Sequence, residues 1–196
     1  MRQFTIGMAA SLALACSPTF AQEGFVELKD QCIACHGEAG YSEIPDTPSL
    51  GGIDDYYALL QLVAFRSGNR KADVMNEITA EMSDNDLRAA AAWIDSLPRP
   101  PKPDGEGDPA KMQRGAELVS QNHCNGCHGK DLLGGHQMPP LRHQREDYLL
   151  NALHDYKAER RFGDRAAMVE VVQKISDEDL AILAHYMAHL PEASDQ

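Results

Sequence analysis

The sequence predicts an all-α protein built from two tandem copies of one helical module. Three observations predict it. The pattern Cys-x-x-Cys-His occurs twice, as Cys32-Ile-Ala-Cys35-His36 and Cys124-Asn-Gly-Cys127-His128. The residues downstream of each copy keep one register. Apolar residues recur at helical spacing, and no strand-rich pattern is visible.

The elements follow in chain order. Arg2, the apolar run from Ile6 to Ala15 and the small residues around Thr19-Phe20-Ala21 read as a secretory signal over 1–21, so the mature chain begins near Gln22. Cys16 lies inside that signal. Leu14-Ala15-Cys16 is a partial lipid-attachment pattern, and lipidation there would give peripheral membrane association. No later stretch approaches the roughly 18 apolar residues that span a bilayer.

The first module is expected over 22–97. A helix at about 23–33 leads into the first motif, and a second at about 54–66 carries Tyr56, Leu59, Leu60 and Val63 on one face. Met75 follows in a loop, and a last helix starts at Ser83, a natural N-cap with acidic residues in the first turn. It stops before Leu97-Pro98, because proline cannot continue a helix. Residues 98–109 hold five prolines and read as a semi-rigid linker. The second module, 110–196, repeats the plan. Helices are expected at about 110–125 and 145–159, the latter facing inward through Tyr148, Leu149, Ala152 and Leu153. Met168 lies in the matching loop, and a last helix starts at Ser176. Each methionine stands 8 residues before its serine, and Trp93 and Tyr186 each stand 18 beyond their methionine.

Two thiols separated by two residues and followed at once by a histidine form the attachment pattern for c-type haem. One turn of chain places both sulfurs under the two vinyl groups of a porphyrin. Thioether bonds are expected at Cys32 and Cys35, and at Cys124 and Cys127, with His36 and His128 beneath the two irons. A zinc site built from two such pairs has them about 15–20 residues apart, whereas 92 residues separate Cys32 from Cys124. A thioredoxin-like pair needs a βαβ setting, and a disulfide framework leaves the paired histidines unexplained.

The other axial ligand decides the chemistry. Met75 and Met168 share one register, and Met/His ligation raises the reduction potential and closes the iron to outside ligands. Met138 is a rival in the second module, although its counterpart Thr47 cannot ligate. His136, His143, His154, His185 and His189 are alternative ligands without a matching histidine in the first module, and His123 reads as solvent-facing. Met82, Met112 and Met187 read as packing. Pro48 and Pro139 are placed to shape the loop on the proximal side, where a backbone carbonyl is expected to accept the other imidazole N–H and orient the ring. Arg70, Arg160, Arg161 and Arg165 are candidates for pairing with haem propionates. A module this small buries little surface unaided, so the haem is expected to complete each core.

The net charge is −12, and loss of the signal with Arg2, its one charged residue, makes it −13. No basic footprint for nucleic acid exists. The expected partners are proteins with a basic docking face or a neutral patch near a haem edge.

These motifs together carry a resemblance. They are Cys-x-x-Cys-His-Gly, Pro48-Ser49-Leu50 and Pro139-Pro140-Leu141, an Asp-Tyr helix, an Arg-rich loop with Met, and a final Ser-Asp-x-Asp helix ending in Leu-Pro. The chain resembles the dihaem cytochrome c4 family of tandem class I cytochrome c modules over essentially its whole mature length. The resemblance implies a periplasmic electron carrier, not an enzyme, running between quinol-oxidising complexes and terminal oxidases, with the two haems near the domain interface. The second Met loop is two residues longer than the first and also resembles the dihaem subunit of flavocytochrome c sulfide dehydrogenases. That alternative implies a flavoprotein partner. A dihaem peroxidase would need a longer chain and a displaceable sixth ligand.

Overall fold

The computed structural model describes residues 21–161 and 166–191, with side chains from Phe25 onward. The expected signal up to Phe20, with Cys16, lies outside the described residues, as does Arg165. Among the described residues there are nine helices and no strand. They are α1 (Ala21–His36), α2 (Asp55–Arg66), α3 (Asp73–Ala80), α4 (Asp84–Asp95), α5 (Pro109–Gln121), α6 (Cys124–His128), α7 (Glu146–Lys157), α8 (Ala166–Val172) and α9 (Asp177–Ala188). None is long and apolar enough to cross a membrane.

The ends are set locally. The Asp54 carboxylate accepts the Tyr56 N–H at the start of α2. Ser83 and Asp86 form a reciprocal capping box on α4, and the Ser176 hydroxyl accepts the Asp179 N–H on α9. α5 opens with Asp108 as N-cap and Pro109 in its first turn, where a missing N–H costs nothing.

α1 and α2 pack on α4 around Phe25, Leu62, Met82, Leu87 and Ile94. α5 and α7 pack on α9 around Leu118, Leu149, Val172, Leu180 and Met187. Met82 and Ile175, buried at matching positions, fill the same place in the two cores. α5 crosses α9 at Gly115, where an added Cβ would lie 2.3 Å from Tyr186 Cβ and 2.6 Å from its Cγ. Gly115→Ala should therefore push the two helices apart. Overpacking of this kind costs about 1–3 kcal/mol, and a lower denaturation midpoint of the holoprotein checks it.

Three expectations change. The second haem motif does not continue the preceding helix. α5 ends at Gln121, Asn122 turns its side-chain amide onto the Leu118 carbonyl, and His123 takes a left-handed φ of 54°. The inward face of α2 is Tyr57, Ala58, Leu62 and Phe65, whereas Tyr56 and Val63 are exposed. The helix is turned so that its aromatic side faces an internal cavity and the other domain. Finally, Met75 and Met168 lie on short helices, α3 and α8, rather than in irregular loops. Isolated helices this short are unstable. In α3 side chains compensate: Asn76 accepts the Ala72 N–H and donates to the Phe65 and Arg70 carbonyls, and Thr79 donates to the Met75 carbonyl.

The two domains are tied together by polar contacts. Arg145 donates to the Ser42 carbonyl, Asn151 donates to Asp46, and the Asp147 carboxylate accepts the Asp46 N–H. The linker is held as well. Tyr41 donates to the Arg99 carbonyl and Arg99 donates to the Leu133 carbonyl.

Candidate haem-binding site

A largely apolar cavity of about 650 Å³ lies between the domains. Its wall includes Cys32, Cys35, His36 and Met75 from the first domain, and Cys124, Cys127, His128 and Met168 from the second. The fold thus brings all eight sequence-selected residues to one space. The first three are at or near the end of α1, the second three form α6, and the methionines sit in the first turns of α3 and α8.

His36 and His128 are buried, at 6 % and 5 % exposure. His36 Nδ1–H donates to the Pro48 carbonyl at 2.8 Å, and His128 Nδ1–H donates to the Pro139 carbonyl at 3.0 Å. These bonds orient each ring and fix the tautomer, so Nε2 carries the lone pair. Burial holds the His36 imidazole below its ordinary pKa, against the opposing pull of the Pro48 carbonyl, and keeps the ring neutral, as a metal ligand must be. Burial likewise pushes the Cys32 and Cys124 thiols up. All four cysteines are unbridged.

The donor set fits two covalently held haems. Each domain offers a thiol pair, an imidazole oriented by a proline carbonyl and a thioether around apolar walls. A second observation concerns charge. Arg70 and Arg161, both half-buried on the cavity wall, have no carboxylate partner among the described residues. Arg70 donates to Gln61 at 2.7 Å and to the Tyr148 hydroxyl at 3.0 Å; Arg161 donates to the Tyr57 hydroxyl at 3.0 Å and lies 3.5 Å from that of Tyr148. Burial raises the Tyr148 phenol, but the charges of Arg161 and Arg70 outweigh it and hold the phenol below its ordinary range. Two half-buried guanidinium groups with no carboxylate partner among the described residues offer positive charge on an apolar wall, and a haem propionate would be a fitting counter-charge. The two arginines occupy equivalent positions, 91 residues apart, as do the two tyrosines. Each arginine reaches the tyrosine of the other domain.

The remaining candidates sort by position. Met138 also lines the cavity. His136 is exposed, stacked on Tyr56 and 3.2 Å from Asp54. His143 lies between the Pro100 and Leu190 carbonyls. His185 and His189 face Glu146. None of these histidines lines the cavity, and neither does His154; exposed His123 is at its edge. Arg160 pairs with Asp155 on the surface. Sequence reasoning missed Gln61, Gln144 and the polar role of the two tyrosines. The shared register of Tyr57 and Tyr148 was the available signal, but spacing alone reads a tyrosine as packing.

Two helical domains that each present a Cys-x-x-Cys-His motif to one apolar cavity define a dihaem c-type cytochrome. Comparison with known proteins agrees. Residues 112–191 match the family described as cytochrome c, and residues 20–94 match that described as cytochrome C oxidase, cbb3-type, subunit III. The thiosulfate dehydrogenase electron acceptor of Stutzerimonas stutzeri (strain A1501) is 32 % identical over 169 residues, spanning 81 % of this chain and 78 % of the relative. Cytochrome c4 of Thiocapsa roseopersicina is 27 % identical over 182 residues, spanning 87 % and 93 %. The crystal structure of reduced recombinant cytochrome c4 from Pseudomonas stutzeri superposes with a TM-score of 0.77 at 29 % identity, covering 87 % of this chain and 98 % of that one. The chain belongs to the dihaem cytochrome c4 family. It is an electron carrier with two haem c groups and their iron as cofactors, and it is not itself an enzyme.

Proposed function

We propose that the protein is exported with loss of a signal over 1–21. In the periplasm it carries electrons from a quinol-oxidising complex to a terminal oxidase. In this reading 22–97 and 110–196 are the two haem domains and 98–109 the linker. Cys32, Cys35, Cys124 and Cys127 hold the haems, with His36 and Met75 on one iron and His128 and Met168 on the other. The observation that carries it is the pair of matched donor sets on one cavity wall. Each haem, when bound, supplies an iron that gains or loses one electron. The chain's own part is to exclude water with the apolar wall, to fix each imidazole through a proline carbonyl, and to offset propionate charge with Arg70 and Arg161.

A carrier of charge −13 is suited to a partner with a basic face, and such encounters weaken with salt. The reduced protein should be reoxidised by membrane fractions at a rate that falls steeply between low and physiological ionic strength. A rate indifferent to salt would count against a free shuttle.

A second reading is favoured by the 32 % identity to an electron acceptor of thiosulfate dehydrogenase. Here the protein takes electrons from one dedicated dehydrogenase, flavin-containing or not, as an attached subunit or close partner. Native co-purification separates the two: a stoichiometric complex that survives moderate salt supports the dedicated acceptor, and its absence supports the shuttle.

A further inference from the structure

Gln144, in the loop before α7, is 6 % exposed and lies against Ser49 of the first domain, itself 4 % exposed. Its Oε1 accepts the Ser49 N–H at 2.8 Å and the Arg145 N–H at 3.0 Å, and its Nε2 donates to the Ser49 carbonyl at 2.8 Å. Only one orientation of the amide satisfies all three bonds. The Ser49 N–H belongs to the same peptide group as the Pro48 carbonyl, which accepts the His36 Nδ1–H. An unbroken hydrogen-bond chain therefore runs from the His36 ring through one peptide plane to a side chain of the other domain.

The second domain cannot build the same chain through the peptide after Pro139. His128 donates to the Pro139 carbonyl, but the next residue is Pro140, whose nitrogen has no hydrogen to give. The residue at Gln144's register in the first module is Ile53, which is apolar.

We propose that Gln144 is a positioning residue through which the second domain tunes the first haem, with no reciprocal control of the second. Hydrogen bonds in series polarise one another. An acceptor on the Ser49 N–H makes the Pro48 oxygen more negative and strengthens its hold on the imidazole proton. The ring becomes a stronger donor, as partners on the far nitrogen of a ligating histidine do in general. Stronger donation favours oxidised iron and lowers the potential of that haem. The inference rests on His36 being an axial ligand.

The test uses the full-length holoprotein in two variants. Gln144→Leu removes the acceptor at similar volume. Ser49→Pro removes the N–H, copies the Pro139-Pro140 arrangement and leaves Gln144 in place; it decides the matter if the first variant fails to hold two haems. Redox titration is followed by haem-methyl resonances, which assign each wave. The expected result is an upward shift of the first haem's wave in either variant, with the second haem's wave unmoved. The His36 ring N–H signal should move toward a weaker hydrogen bond, and that of His128 should stay. Equal movement of both waves, or movement of neither, overturns the proposal. A His36→Ala protein tests the ligand separately. If its low-spin spectrum matches the parent's, the ligand reading fails. If that spectrum is lost while the Gln144→Leu wave stays put, only the present inference fails.

Discussion

Replacing Cys124 and Cys127 together by Ser should leave a protein with one haem and a second domain that does not fold cooperatively. Leu149, Leu153, Val172, Leu183 and Met187 belong to the core of that domain and also line the cavity. Without a haem, one side of each has nothing to pack against. If half of the 650 Å³ cavity stays empty, the penalty is on the order of 8 kcal/mol, at the roughly 24 cal/mol per Å³ found for engineered cavities. That is comparable to the entire stability of a typical domain. Collapse of the walls would reduce the figure only by giving up the native packing. The first domain has its own apolar cluster and should keep its haem. Intact-mass measurement should show one haem addition instead of two, and circular dichroism should show a large loss of helix. Two additions would refute attachment at Cys124 and Cys127, and full helicity would refute the part given to the haem in completing the second core.

The other large effect concerns Met168. Changing it to Ala should open one iron and leave the other closed. The variant should lose about half of the methionine-to-iron charge-transfer absorption, bind one carbon monoxide per chain when reduced, and show one potential lowered while the other holds. Met75→Ala should do the same to the other haem. Met138 shares the cavity wall, so the experiment also discriminates between ligands. If Met168→Ala retains both methionine signatures, Met138 is the ligand in the second domain and the register argument fails.

Much of this was legible in the residue order because it is repeated. A duplicated module supplies its own comparison, so Met75 and Met168, or Ser83 and Ser176, could be matched without any other sequence. The all-α class, the N-caps and a backbone carbonyl in the loop that Pro48 and Pro139 shape beneath His36 and His128 all follow from local rules; that the acceptors are the proline carbonyls themselves is the structure's addition. The inward face of α2 did not. Tyr56 and Tyr57 are adjacent aromatics, and which one turns inward depends on the neighbouring domain. The short helices under the methionines were also hidden, since Asn76 and Thr79 hold α3 through bonds to residues as distant as Phe65. Gln144 had no counterpart in the repeat and so gave no signal at all. Repetition reveals what two domains share and is silent about where they differ.

The crossed arrangement of Arg70 with Tyr148 and Arg161 with Tyr57 bears on the history of such a chain. Two copies that began alike now each complete the other's charged pocket. Neither can be deleted, or replaced by a stranger, without leaving a guanidinium short of its phenol. A change in one arginine therefore touches both halves, since Arg161 also lies 3.5 Å from Tyr148 of its own domain and Arg70 bonds its own Gln61. Duplication has become mutual dependence, and the two halves are expected to drift in step.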